Sequence, residues 1–194
     1  RYSNNKITPQ LYSGQEKFTS LAPRRKAKLP TGQVGGCDIS NMVDINKIKR
    51  IHFVGIGGIG MSALARMMVR EGKEVTSTND IPSPDTLDAL RDMGVPIYLD
   101  RDISRIPEDV DVIVYSIAWD QNEKKFMDEV RTLGKPVLTY FEMLGVASQD
   151  KYTVAVSGTH GKTTTTAMIA KILTDAAQHP SVIVGSLVEY DGEK

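Results

Sequence analysis

The sequence predicts an α/β fold in which a parallel-sheet domain is followed by the start of a second α/β domain. Three observations carry that expectation. From Lys49 onward, short apolar runs alternate with segments of helical period, the pattern of strand–helix units in a parallel sheet. Two of the strand-to-helix junctions are rich in glycine, at Gly55-Ile56-Gly57-Gly58-Ile59-Gly60 and at Ser157-Gly158-Thr159-His160-Gly161-Lys162. Between them lies a polar stretch, Ser148-Gln149-Asp150-Lys151, which places a hinge there and divides the chain into domains at 42–148 and 149–194.

Residues 1–41 show neither helical period nor strand alternation, and Pro9, Gly14, Pro23, Pro30, Gly32, Gly35 and Gly36 interrupt them. They hold seven basic side chains against the acidic Glu16 and Asp38. A disordered or loosely packed basic tail is expected, with Met42 opening the folded unit. The Arg24-Arg25-Lys26-Ala27-Lys28 run reads as a solvated part of that tail rather than a nucleic-acid patch. Over the whole chain Lys plus Arg and Asp plus Glu both number 24, so no charge bias points to nucleic acid or an anionic membrane. Cys37 is the only cysteine, which excludes an intrachain disulfide and a cysteine-held metal. No apolar run approaches the roughly 20 residues of a membrane span, and no signal-peptide core opens the chain. Membrane insertion is therefore not expected, and a cytoplasmic protein is.

Ile51-His52-Phe53-Val54 is the first strand, and the glycine-rich turn follows it directly. A helix comes next, with Met61, Leu64, Ala65 and Met68 on one face. Strand, glycine turn and helix N-terminus form a Rossmann-like phosphate loop, in which glycine lets the backbone approach a diphosphate. A strand from Glu74 to Ser77 leads to Asp80, 20 residues past Gly60, where a carboxylate suits a ribose. Ser83 caps a helix with Pro84 at its first position, and Leu87, Leu90 and Met93 form its stripe. Strands are expected at Ile97–Leu99, Val112–Tyr115 and Pro136–Thr139. A loop from Ser116 to Gln121 precedes a helix from Asn122 to Leu133, and a short helix covers Phe141 to Ala147.

In the second domain Val154-Ala155-Val156 reads as a strand, and Lys162-Thr163 opens a helix whose apolar face is Met168, Ile169, Ile172, Leu173 and Ala176. The segment between them is a variant P-loop: Val156 stands where the strict pattern has glycine, and Gly158 lies inside the loop. Backbone N–H groups and the helix dipole favour a triphosphate here. Lys162 reaches the outer phosphates, and the Thr163 hydroxyl suits Mg²⁺. His160 is read as shaping the loop, and His52 and His179 as structural. A last strand is expected at Val182–Val184. With so few strands of its own, the P-loop domain is expected to be truncated in this chain.

Two adjacent phosphate loops, only the second carrying Lys-Thr, resemble the N-terminal part of the Mur ligases of peptidoglycan synthesis. The residues carrying the resemblance are Phe53 to Ser62, Val114-Tyr115-Ser116-Ile117-Ala118, Glu142-Met143-Leu144 and Ser157 to Thr166. They span the ordered region and none of residues 1–41. The resemblance implies a P-loop ATP-binding domain and an ATP-dependent ligase joining L-alanine to UDP-N-acetylmuramate through an acyl phosphate. It implies that Gly55, Ile56, Gly57, Gly58, Ile59 and Gly60 face the UDP-sugar diphosphate, with Asp80, Ser116 and Ala118 nearby. It further implies ATP at Gly158, Thr159, His160, Gly161, Lys162, Thr163 and Thr164, with Lys162 catalytic and Thr163 on Mg²⁺. Trp119 departs from the pattern, which has an aliphatic residue after Ser-x-Ala.

The chain carries no counterpart of the family's amino-acid-binding domain, so it is expected to be catalytically incomplete alone. Oligomeric state is not readable. Three alternatives stay open: a non-catalytic nucleotide or UDP-sugar binder, the related ligase that attaches recycled murein peptide to the same sugar nucleotide, and a dinucleotide-binding oxidoreductase. The last has no use for Lys162-Thr163.

Overall fold

The computed structural model describes residues 43–79 and 84–185. The basic tail, Met42, Asp80 and the Ser83 cap lie outside the described residues. Five parallel strands form one sheet: β1 (Arg50–Val54), β2 (Glu74–Thr78), β3 (Ile97–Tyr98), β4 (Val112–Tyr115) and β5 (Val137–Thr139). Their order is β3-β2-β1-β4-β5. The chain therefore runs outward from β1 to β3, then returns to the other side of β1. Such a reversal opens a crevice at the carboxyl ends of the strands that flank it, β1 and β4.

The strands form here because their apolar residues serve both sheet faces. Ile51 and Phe53 of β1, Val112 and Val114 of β4 and Leu138 of β5 enter one core, against α1 (Ile59–Arg70), α2 (Pro84–Asp92) and α5 (Tyr140–Ser148). The alternate residues, Val54 and Ile113, enter a second core with Trp119, Phe126, Met127 and Val130. Val43, Ile45 and Ile48 are buried in the first core, and the Lys73 ammonium donates to the Ile45 and Ile48 carbonyls at 2.8 and 2.7 Å. Order thus begins upstream of Lys49.

Two expectations are corrected in this region. The expected loop from Ser116 to Gln121 is helical, as α3 (Ile117–Asn122), and α4 (Lys124–Thr132) follows after a break at Glu123. The reason is Trp119. Its indole is 5% exposed and meets the Phe126 ring edge-on at 5.4 Å, and a helical turn is what delivers it to that core.

Beyond Lys151 the expectations fare less well. Val154–Val156 and Val182–Val184 form no strand, and Val154 is exposed. A strand is stable only against a ladder partner, and none of the described residues pairs with either segment. Helix α6 (Lys162–Asp175) forms as expected, but its apolar face is open: Met168 and Ile172 are exposed, and Ala170 alone is buried.

Candidate functional site

The first loop sits at the crevice beside β1. Gly55 has φ +79°, a left-handed conformation costly for any other residue, and its N–H donates to the Thr78 carbonyl at 2.8 Å. A Cβ at this position would overlap the Trp119 indole and press on Ser116. Glycine is thus required at position 55 by both conformation and space. Trp119, the departure from the family pattern, is the floor under this turn.

Two side chains then clamp the middle of the loop. Asn79, at the end of β2 and 3% exposed, accepts the Gly57 N–H on Oδ1 at 3.3 Å. Thr86 of α2 donates from Oγ1 to the Gly57 carbonyl at 2.9 Å. Neither was singled out by sequence reasoning, which went to the neighbouring Asp80. The available signal was the place of Asn79, a polar residue at the carboxyl end of a strand beside the switch point.

Gly58 caps α1 with no side-chain hydrogen bond, and the first amide to bond back is that of Ser62, to the Gly58 carbonyl at 2.8 Å. The amides of Ile59, Gly60 and Met61 are left without intrahelical acceptors at the positive end of the helix dipole. No acidic residue occupies this first turn. The arrangement attracts an anion such as a diphosphate. Of the loop residues, the Ile56 side chain is fully buried in the core, so only its backbone faces the loop. Ser116 follows β4, its N–H donating to the Val54 carbonyl at 3.0 Å, which brings it beside Gly55. Ala118 is exposed two residues further on.

The second loop carries the same device. Gly161 caps α6 in the left-handed conformation, φ +76°, again with no side-chain cap, and Thr165 N–H is bonded to its carbonyl at 2.9 Å. Gly158 also holds a glycine-favouring φ of +154°. The Lys162 ammonium curls back and donates to the carbonyls of Gly158 at 2.6 Å and Thr159 at 3.2 Å. These carbonyls hold the cation over the loop, where an anion would be met. Thr159, His160, Thr163 and Thr164 are all exposed. Among the described residues no group of three or more His, Cys, Asp or Glu is placed to hold a metal. The oxygen offered here is the Thr163 hydroxyl, which fits a hard cation completing its shell with phosphate oxygens and water.

The remaining histidine of interest is not part of either loop. His52 is fully buried on β1, Nδ1 and Nε2 lying 2.8 Å from Thr76 Oγ1 and 3.4 Å from Thr78 Oγ1. Burial lowers its pKa from 6.5 to about 4, so at neutral pH it is an uncharged structural link between β1 and β2. Among the described residues no helix is long and apolar enough to cross a membrane.

Comparison with known proteins agrees with this geometry. The family model described as "Mur ligase family, catalytic domain" matches residues 50–152. The chain is 40% identical over 148 residues to UDP-N-acetylmuramate–L-alanine ligase of Chlorobaculum tepidum, covering 76% of this chain and 31% of that protein. It is 37% identical over 150 residues to the ligase of the same name from Clostridium kluyveri, covering 77% and 32%. The chain thus spans about a third of the length of these relatives. Among solved structures, UDP-N-acetylmuramate-alanine ligase MurC of Thermotoga maritima aligns with TM-score 0.62 and 34% identity over 73% of this chain and 32% of that one. The UDP-N-acetylmuramate:L-alanyl-gamma-D-glutamyl-meso-diaminopimelate ligase of Neisseria meningitides aligns with TM-score 0.64 and 29% identity, covering 72% and 44%. This chain belongs to the Mur ligase family.

Proposed function

We propose that this chain is the sugar-nucleotide-binding and P-loop portion of an ATP-dependent ligase that joins L-alanine to UDP-N-acetylmuramate in the cytoplasm. The observation that carries the reading is the first loop: uncapped α1 amides beside Gly57, which Asn79 and Thr86 hold in place at the switch point. A sugar-nucleotide diphosphate suits that cup, with Ser116 and Ala118 at its β4 side. The names of the relatives support the substrate pair.

Residues 42–148 then form the UDP-sugar domain and 149–194 begin the ATP-binding domain, with 1–41 an appended basic tail. The exposed Val154, Met168 and Ile172 support this division, since apolar residues on a strand segment and a helix face are what further strands of a central sheet would cover. ATP supplies the phosphoryl group that converts the muramoyl carboxylate into an acyl phosphate, with ADP leaving. The amine of L-alanine then attacks the acyl carbon and phosphate departs. Lys162 releases its two loop carbonyls to neutralise the charge developing on the transferring phosphoryl, and the Thr163 hydroxyl would help hold Mg²⁺, which would supply charge stabilisation there.

A second reading rests on the Neisseria structure, whose alignment is as good: the same loops could serve a ligase that attaches a recycled peptide to UDP-N-acetylmuramate. The two differ only in the amine acceptor. Calorimetric titration with UDP-N-acetylmuramate and, separately, Mg-ATP tests what they share. Sugar-nucleotide binding abolished by Gly57→Val and kept in Lys162→Ala is expected; binding of NADH in place of the UDP-sugar would overturn the reading in favour of a dinucleotide enzyme.

A further inference from the structure

The carboxyl edge of the sheet holds one more polar group that faces the first loop, contributed by α5. Thr139 of β5 is in register with Tyr115 of β4, so Tyr140, the first residue of α5, emerges at the same edge as Ser116. Its backbone is fixed by a capping box: the Glu142 N–H donates to Thr139 Oγ1 at 3.2 Å, and the Thr139 N–H to Glu142 Oε2 at 2.7 Å. Its ring is fixed on one side by Phe141, edge-on at 5.1 Å, and its body packs against the first core.

The other side of the ring meets Gly60. A Cβ built on Gly60 would lie 2.9 Å from the Tyr140 hydroxyl oxygen and 3.0 Å from Cζ. The last glycine of the loop therefore makes room for a phenol. Every larger residue at position 60 would push that phenol aside. The hydroxyl thus lies against Gly60, in the first turn of α1. Among the described residues it has no hydrogen-bond partner, although the side chain is half buried. A tyrosine hydroxyl in that position normally finds one.

We propose that Tyr140 is a ligand-contacting residue whose hydroxyl donates a hydrogen bond to the diphosphate seated on the N-terminus of α1. The inference rests on the reading of Gly55–Gly60 as the sugar-nucleotide site and adds to it a side-chain donor from another element. Backbone amides supply donors that any sequence would offer. The phenol supplies one that depends on the pairing of Gly60 with Tyr140. Burial raises the pKa of the phenol above its ordinary value, so it stays protonated and able to donate across the physiological range.

The test is Tyr140→Phe, which removes the hydroxyl and keeps the ring. UDP-N-acetylmuramate is titrated into the wild-type chain and the variant by calorimetry, with thermal melts alongside and phosphorus-31 spectra of the bound ligand. The expected result is affinity weakened about 10- to 100-fold, an unchanged melting temperature and displaced phosphorus resonances. Affinity within about threefold of wild type would overturn the proposal, as would weaker binding with phosphorus resonances unmoved, since the ring's packing would then be responsible. Absence of UDP-N-acetylmuramate binding by the wild-type chain would overturn the functional reading itself, a failure distinct from that of the Tyr140 assignment alone.

Discussion

The loop after β1 and the loop before α6 each open a helix with a glycine that offers no side-chain cap, yet their surroundings differ. The first is embedded. Trp119 lies beneath Gly55, Asn79 and Thr86 hold Gly57, and Tyr140 faces Gly60. The second is held by its own residues, Lys162 bonding to carbonyls three and four positions before it. A Cβ at Gly161 would meet nothing within 4 Å. The difference separates what a local sequence can build from what only a sheet can supply. Turn and helix need neighbours in the chain; precise placement of a binding loop needs neighbours in space.

Core truncation should break this comparison open most strongly. Phe53 is fully buried in β1, directly before the first loop. Phe53→Ala is expected to cost about 3–5 kcal/mol, from lost transfer energy and the cavity left behind. Ile172→Ala in α6 removes a side chain that is 66% exposed and installs a better helix former, so its effect should stay within about 0.5 kcal/mol. Urea titrations of both variants check this. A comparable loss in Ile172→Ala would mean that the α6 face is covered after all.

The same division explains how much was legible in the sequence. Four of the five strands of the sheet were visible as short apolar runs, because a parallel strand buried on both faces needs no alternation to be noticed; β2, expected at Glu74 to Ser77, holds Val75 as its one apolar residue. Both glycine loops were legible for a related reason: their turns demand glycine whatever lies around them. What failed was non-local. Val154–Val156 has the composition of a strand but no partner among the described residues, so its pattern did not become a ladder. The helix at Ile117–Asn122 was missed because the polar Asp120, Gln121 and Asn122 follow Trp119, and its core mate Phe126 lies beyond the break at Glu123. Asn79, Thr86 and Tyr140 were missed for the same cause, since each acts on a loop that sequence separates from it.

His52 sharpens the comparison at intermediate size, because protonation should unsettle only the embedded region. Its folded pKa is about 4 against 6.5 for the free side chain. Between those values the unfolded chain binds the additional proton, so stability falls as pH drops from 6.5 towards 4 and is unaffected by this group above 6.5. The loss reaches about 3 kcal/mol at the acid end of that window. In His52→Val the acid-side slope should flatten, even though the variant loses the contacts to Thr76 and Thr78 and starts from a lower plateau. Chemical denaturation at a series of pH values measures the slope, and an unchanged slope in the variant would assign the acid sensitivity to other groups.

A smaller effect than those at Phe53 and His52 depends most directly on the isolation of α6. Gly161→Ala forces a side chain into a left-handed conformation, at a cost of about 1–2 kcal/mol, less the entropy that alanine removes from the unfolded chain. About 1 kcal/mol should remain, and no steric overlap adds to it. Because Met168 and Ile172 face solvent, α6 can open without disturbing the sheet, and local opening is governed by its own free energy. The variant should therefore speed amide exchange about fivefold in the first turns of α6, while amides of β1 and β4 exchange at wild-type rates. Faster exchange in the strands as well would tie α6 to the sheet in one cooperative unit, and the contrast between the two loops would then be one of exposure alone, with no difference in stability behind it.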